Sequence, residues 1–309
     1  MSTNQPLDGI TVISLAGNLP GPLAAARLSA LGAHVIKVEP PAGDALEAGV
    51  PAYYAELTAG QEILTLDLKD PAGIGRLGEL AAEADILLTA MRPKAAVALG
   101  LPGLVDEYEL VHVEIVGFAG DRADVPGHDL TYQAAHATLV PGHMPTIPVA
   151  DVLGGEHAAL EALAGLRERD VRRGVGAQVG AGRSGSTGSA GAGAGNASAG
   201  GAGDGTARRG IVRRVVLDEA AGWAAGPARH GLSSPGGHLG GGTPFYRTYA
   251  TADGHVAVAC LEPHFAKALA AALGSDHETL ERAFAAEPTA HWVAFAAEYD
   301  LPIEPIIER

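Results

Sequence analysis

Two residues in the first half of the chain are of types, and in settings, that can move protons. His128 sits in Gly127-His128-Asp129, and its imidazole can take up or release a proton near neutral pH. Taken alone, it reads equally as an ordinary loop histidine. Asp151 stands ahead of Gly154-Gly155 and an Ala/Leu-rich stretch, reaching Arg169, that reads as a long helix. A carboxylate there is either a plain N-cap or a group placed where free backbone N–H groups and the positive end of a helix dipole favour negative charge. Metal chemistry lacks its usual spacings, since neither HExxH nor paired CxxC is present and the twelve histidines are scattered. No metal site is expected. Cys260 is the single cysteine, which excludes an intramolecular disulfide and points to a reducing, cytoplasmic setting.

The elements that must hold these residues alternate between strand and helix through the first half, the pattern of an α/β, Rossmann-like open parallel sheet. Ile10 to Leu15, Val35 to Val38, Ile63 to Leu68, Ile86 to Thr89 and Val111 to Val116 read as strands. Leu23 to Leu31 reads as a helix stopped by Gly32, and Asp70-Pro71 as the start of another that runs to about Glu83. The glycine turn after the first strand, with Glu39 ending the second, suggests dinucleotide binding. Its sequence, Ala16-Gly17-Asn18-Leu19-Pro20-Gly21-Pro22, is not G-x-G-x-x-G, and its prolines remove donors that a pyrophosphate needs.

From Val175 to Thr206 the chain is nearly all Gly, Ala and Ser, a composition that cannot bury enough apolar surface to fold. This divides the chain into a large domain over 1–170, a flexible linker over 171–208 and a smaller mixed α/β domain over 209–309. In the last, Val212 to Leu217 reads as a strand, and Phe245–Ala250 with His255–Cys260 as a hairpin turned at Asp253-Gly254. Helices are expected over 263–273, 278–286 and 289–299. The formal charge of −15 argues against a nucleic-acid partner. No run of eighteen apolar residues predicts a membrane span, and the N-terminus does not read as a secretory signal.

Seven segments in order resemble family III CoA-transferases and α-methylacyl-CoA racemases. They are Leu7 to Pro40, Leu66-Asp67-Leu68-Lys69-Asp70-Pro71, Arg92-Pro93 with Leu99-Gly100-Leu101, Gly127-His128-Asp129, Ala150-Asp151, Gly240 to Tyr249, and Leu261-Glu262-Pro263. The resemblance implies a Rossmann-like large domain, a small domain, an interlocked homodimer, and acyl-CoA thioesters as substrates with no cofactor beyond their CoA. It marks Lys37 and Arg92 as candidates for the CoA phosphates and places Tyr132 and Asn18 in the same pocket. For either cation the bland alternative is a solvated surface charge.

Two branches share this pattern. In the transferases an aspartate attacks the thioester, and Asp151 matches it. In the racemases a base on each face of the α-carbon exchanges its proton through an enolate. Histidine at 128, where transferases typically have tyrosine, together with Glu262 as its partner, favours the racemase branch. Backbone amides near Asp151 are then expected to hold the enolate oxygen. The sequence departs from the family in the Gly/Ala/Ser insert, in a short connection between His128 and Asp151, and in ending at Arg309, where relatives continue with a segment that returns to the large domain. A third reading is therefore a protein that binds CoA thioesters without turnover.

Overall fold

The apolar run after Gly9 becomes β1 (Thr11–Ser14), and the Ala/Leu segment behind it becomes α1 (Pro20–Ala30). Prolines in its first turn start α1 three residues ahead of Leu23, because proline's fixed φ suits that turn and its missing N–H has no helical partner there. Gly32, at φ +100°, reverses the chain into β2 (His34–Glu39). α2 (Ala45–Gly49) and α3 (Pro51–Leu57) lead to β3 (Glu62–Thr65). Asp70 caps α4 (Pro71–Ala81) by accepting from the Ala72 amide at 2.9 Å. β4 (Ile86–Thr89), α5 (Pro93–Ala98), α6 (Leu101–Glu107) and β5 (Val111–Val116) follow, then α7 (Asp129–Ala135) and the 24-residue α8 (Val149–Arg172).

The computed structural model describes residues 5–174 and 209–307. Of the linker expected over 171–208, Val171 and Arg172 end α8, and the Gly/Ala/Ser-rich part from 175 lies outside the described residues. Next come β6 (Ile211–Val216) and α9 (Leu217–Ala224). β6 corrects the expected domain division. It pairs in parallel with β5 from Val111↔Ile211 to Val116↔Val216 and forms an edge of the large sheet, so residues from 209 do not open the small domain. Its buried Ile211 and Val215 join the same apolar layer as Ala158, Ala162 and Leu166 of α8. The two compact units meet in the chain between Gly222 and Trp223.

The large sheet is six-stranded and parallel, in the order β3-β2-β1-β4-β5-β6, that of doubly wound α/β folds. On one face Val12, Val35, Leu88, Val113 and Val215 pack with Leu28 of α1 and Leu166 of α8. On the other, Ile13, Ile36 and Leu87 meet Leu77 of α4 and Val105 of α6. α8 approaches closely through its small residues. A Cβ on Gly155 would come within 2.7 Å of the Leu23 side chain, and one on Gly165 within 2.3 Å of Val111.

A polar residue inside this sheet makes stability depend on pH. His112 is buried in β5, with Nε2 3.0 Å from Thr89 Oγ1. Burial pulls its pKa down to about 4, with Glu114 opposing and Arg214 adding to the shift. The folded state therefore favours the neutral ring, whose stabilisation is whole above the unfolded value near 6.5 and is lost as pH falls through that value toward about 4. The loss is on the order of 3 kcal/mol for so large a shift. Urea midpoints should drop across that window and drop less in His112→Gln; an identical slope in the variant would assign the acid sensitivity elsewhere.

The second unit starts with α10 (Gly226–Arg229) and builds a small antiparallel sheet from β7 (Tyr246–Ala250), β8 (His255–Ala259) and β9 (Ile303–Pro305). α11 (Pro263–Leu273), α12 (His277–Ala286) and α13 (Thr289–Tyr299) lie between β8 and β9 in sequence. Tyr249, Val256, Val258, Phe284 and Trp292 share its core, where Trp292 Nε1 donates to the Phe284 carbonyl at 2.9 Å. Asp253, in the hairpin turn, accepts from Thr289 N at 2.7 Å and so fixes the start of α13. Burial pushes the Cys260 thiol up to about 11, which keeps it protonated. Among the described residues no helix is long and apolar enough to cross a membrane.

Candidate active site

In the first unit a cavity of about 240 Å³ opens at the carboxyl ends of the strands. Asn18 and Pro20 follow β1, Met91 and Arg92 follow β4, Gly117 follows β5, and Leu217 follows β6; all line the cavity. β1 and β4 are neighbours in the sheet, yet the chain leaves them toward opposite edges. Such a switch point opens a crevice between the connections, the usual binding place in open α/β sheets. His128, Tyr132 and Asp151 complete the wall.

Asp151 lies in the first turn of α8, not ahead of the helix, which begins five residues earlier than Gly154. Pro148 occupies the N-cap position and has no side-chain acceptor. A residue from α7 supplies one: Asp129 Oδ1 accepts from the Ala150 amide at 2.8 Å and from the Asp151 amide at 3.3 Å. Its other oxygen accepts from Gln133 Nε2 at 2.6 Å. Asp151's own carboxyl is raised to about 6, first by burial and then by the negative charge of Asp129.

This arrangement corrects the expectation that amides beside Asp151 stand ready for an oxyanion. Those of Ala150 and Asp151 are held by Asp129, and that of Val152 by the Pro148 carbonyl. The α7 amides of Asp129 and Leu130, next to His128 in the chain, make no hydrogen bond among the described residues.

His128 occupies the N-cap position of α7 in extended backbone, its main chain fixed by Thr131, whose Oγ1 accepts from His128 N at 3.1 Å and donates to His128 O at 2.7 Å. Its side chain is left exposed at the cavity. One turn on, Tyr132 is buried between two glycines. A Cβ on Gly117 would come within 2.4 Å of its hydroxyl, and one on Gly127 within 2.6 Å of its ring. Phe118 packs edge-on to the ring at 5.1 Å. Burial first, then Asp151, Asp218 and Asp129, push the phenol up to about 12, so it remains a hydrogen-bond donor. Asn18 holds a left-handed backbone, φ 60°, that turns β1 toward α1 and leaves its amide group exposed at the cavity. Arg92 is exposed there too, with no ion pair among the described residues.

Five of the seven expected residues thus meet in one place: Asn18, Arg92, His128, Tyr132 and Asp151. Lys37 does not, and its assignment to a phosphate is corrected. Its ammonium is buried at 2% exposure, 2.5 Å from both Glu39 and Asp44, with Tyr54 donating to Glu39 at 2.7 Å. A cation already enclosed by two carboxylates has no room or charge left for an outside anion. It is not a solvated surface charge either. Glu262 belongs to the second unit, exposed at the N-cap position of α11 ahead of Pro263. No group of three His, Cys, Asp or Glu among the described residues could hold a metal ion.

Asp129 is the residue that sequence reasoning passed over. Its partners lie 21 and 22 residues further on, beyond any local capping pattern; the one available hint was a long helix entered through proline. Gly117 and Gly127 were also passed over, since a glycine before a turn gives no sign that an aromatic ring must lie against it.

The family model for CoA-transferase family III matches residues 7–194 and 214–308. Human α-methylacyl-CoA racemase is 30% identical over 288 residues, covering 89% of this chain and 66% of that protein. Cinnamoyl-CoA:phenyllactate CoA-transferase of Clostridium sporogenes is 38% identical over 146 residues, covering 42% of this chain and 35% of that protein. The chain thus spans less than two thirds of either relative's length. A CAIB/BAIF family protein from Brucella suis has the same fold, with a TM-score of 0.72, 22% identity and coverage of 99% and 85%. A hypothetical protein from Mycobacterium tuberculosis aligns with a TM-score of 0.74 at 23% identity, covering 98% and 86%. With nearly its whole length matched by one family model, the chain belongs to CoA-transferase family III, whose members include both CoA-transferases and α-methylacyl-CoA racemases.

Proposed function

We propose that this protein racemises the α-carbon of 2-methylacyl-CoA thioesters, with His128 and Asp151 as its two proton carriers. The observation that carries the reading is their presence in one cavity, with the Asp151 carboxyl raised to about 6. A carboxyl in that range can both take up and give back a proton near neutral pH, as exchange in both directions requires. One group removes the α-proton, a planar enolate forms, and the other group returns a proton to the opposite face. The unpaired amides of Asp129 and Leu130 serve the enolate oxygen. Arg92 meets the CoA phosphates, and Tyr132 and Asn18 line the acyl site. CoA enters as part of the substrate, and no further cofactor is assigned. The working form is a cytoplasmic homodimer with 209–222 in the large domain.

A second reading has Asp151 attack the thioester carbonyl, forming an acyl anhydride and releasing CoA thiolate, which then attacks the Asp151 carbonyl to free the donor carboxylate and leave an enzyme–CoA thioester; an acceptor carboxylate takes CoA from Asp151 by the reverse steps. The transferases among the relatives support it. Under the third, the protein binds CoA thioesters without turnover. One experiment separates the three: a single enantiomer of a 2-methylacyl-CoA in deuterated water, with and without succinate as acceptor. Deuterium uptake with loss of optical purity, independent of succinate, is expected. In His128→Ala the loss of optical purity should vanish while CoA-ester binding stays. New acyl-CoA formed only with succinate, and persisting in His128→Ala, would replace the racemase by the transferase. Binding without either reaction would leave the third reading.

A further inference from the structure

We infer that Asp129 is the positioning residue of the site: its carboxylate, by capping α8 from α7, fixes where Asp151 stands and puts a negative charge beside it. The inference rests on Asp151 being the reacting carboxyl.

The geometry argues for more than an ordinary cap. α8 opens with Pro148, so its first amides have no acceptor of their own, and Asp129 is shared between the amide of Asp151 and that of the preceding residue. Gln133, one turn along α7, holds the second oxygen and also donates to the Ile147 carbonyl at 3.2 Å. Both ends of the connection from α7 to α8 are thereby tied to one carboxylate. Asp129 is 8% exposed, and among the described residues its partners are N–H groups, with no cation to cancel its charge.

Other titratable or charged groups face Asp151 from the elements around it. They are His128 and Tyr132 of α7 and Arg92 before α5, all on the cavity wall, with Asp218 of α9 near Tyr132. Besides burial itself, the charge that raises the Asp151 carboxyl is that of Asp129. A second buried negative charge close by makes a carboxylate harder to form, and the proton is kept to higher pH. A helix start alone would do the reverse. A neutral side chain of the same shape should cap α8 equally and leave Asp151 more acidic.

The test reads Asp151 directly, in the resting protein. Aspartate labelled with ¹³C at Cγ is titrated by NMR, and Asp151→Asn assigns the signal. The wild-type midpoint is expected at about 6. In Asp129→Asn it should fall by about one unit, the scale of a neighbouring charge. In Asp129→Glu, which restores the charge, it should return toward the wild-type value. If Asp129→Asn does not fold, Asp129→Thr offers a neutral acceptor for the same reading. An unchanged midpoint in a folded neutral variant would overturn the inference, leaving Asp129 as a cap alone. Activity is not needed for this measurement. Failure of the wild type to racemise or transfer would therefore count against the proposed function and not against this.

Discussion

Asp151→Asn is expected to lower α-proton exchange by about 10²–10⁴-fold, the usual contribution of a positioned acid–base group. Asparagine keeps the size and the polar surface of the side chain, so CoA-ester affinity should hold, and Asp129 still caps α8 through main-chain amides. What disappears is the ability to take and give a proton. The pH profile supplies a check on sign. The Asp151 carboxyl is raised to about 6, so its basic form is lost as pH falls below that value and its acidic form as pH rises above it. Wild-type exchange in the direction that uses Asp151 as base should therefore decline on the acid side near 6. In the opposite direction, with the carboxyl as donor, it should decline on the alkaline side. Residual exchange in Asp151→Asn within tenfold of wild type would remove this carboxyl from the racemase chemistry. The transferase reading predicts the same loss for acceptor-dependent transfer, so Asp151→Asn tests the site, and His128→Ala decides the branch.

Lys37→Ala is expected to be the most destabilising single change, at about 3–5 kcal/mol, the cost of removing one partner from a buried ion pair. Here the removal leaves two carboxylates, Glu39 and Asp44, enclosed without a counterion, at side-chain exposures of 7% and 4%. Tyr54 still donates to Glu39, which is too little to offset the repulsion between two buried acids. Urea unfolding at pH 7 measures it. A loss below about 1 kcal/mol, the range of exposed pairs, would mean that the cluster is hydrated and the burial apparent. Lys37→Met/Glu39→Leu, which removes one charge of each sign, should recover part of the loss. CoA-ester affinity in a folded Lys37 variant should be unaltered, because the ammonium faces inward.

What could be read from the sequence follows from how local each signal is. In the first unit the six strands and the helices α1, α4 and α8 announce themselves, to within a few residues, through short apolar runs, proline starts and glycine stops, whereas α2, α3, α5, α6 and α7 are not among the expected elements. The placement of β6 was not anticipated, because an apolar strand carries no label for the sheet it will join, and its partner β5 lies 100 residues earlier. For the site, Asn18, Arg92, His128, Tyr132 and Asp151 were legible as a set only through the order of motifs around them. Lys37 was misread for a physical reason. In β2 it sits between apolar residues, which is compatible with an exposed strand end or with a buried counterion, and only Asp44, seven residues on, decides between them. The amides at the start of α8 were misread because the group that occupies them arrives from another helix.

That borrowed cap also bears on how the first unit opens. The first turn of α8 holds its amides only while α7 is docked, so the two segments should lose hydrogen-exchange protection together and with a common opening free energy. The Ala150 and Asp151 amides, seated on Asp129, would then exchange at the rate at which α7 detaches, whereas the later turns of α8, pressed through Gly155 and Gly165 onto Leu23 and Val111, answer to the sheet as a whole. The turn that carries the reacting carboxyl is thus the least independent part of the longest helix, a small cooperative unit whose integrity is decided outside it.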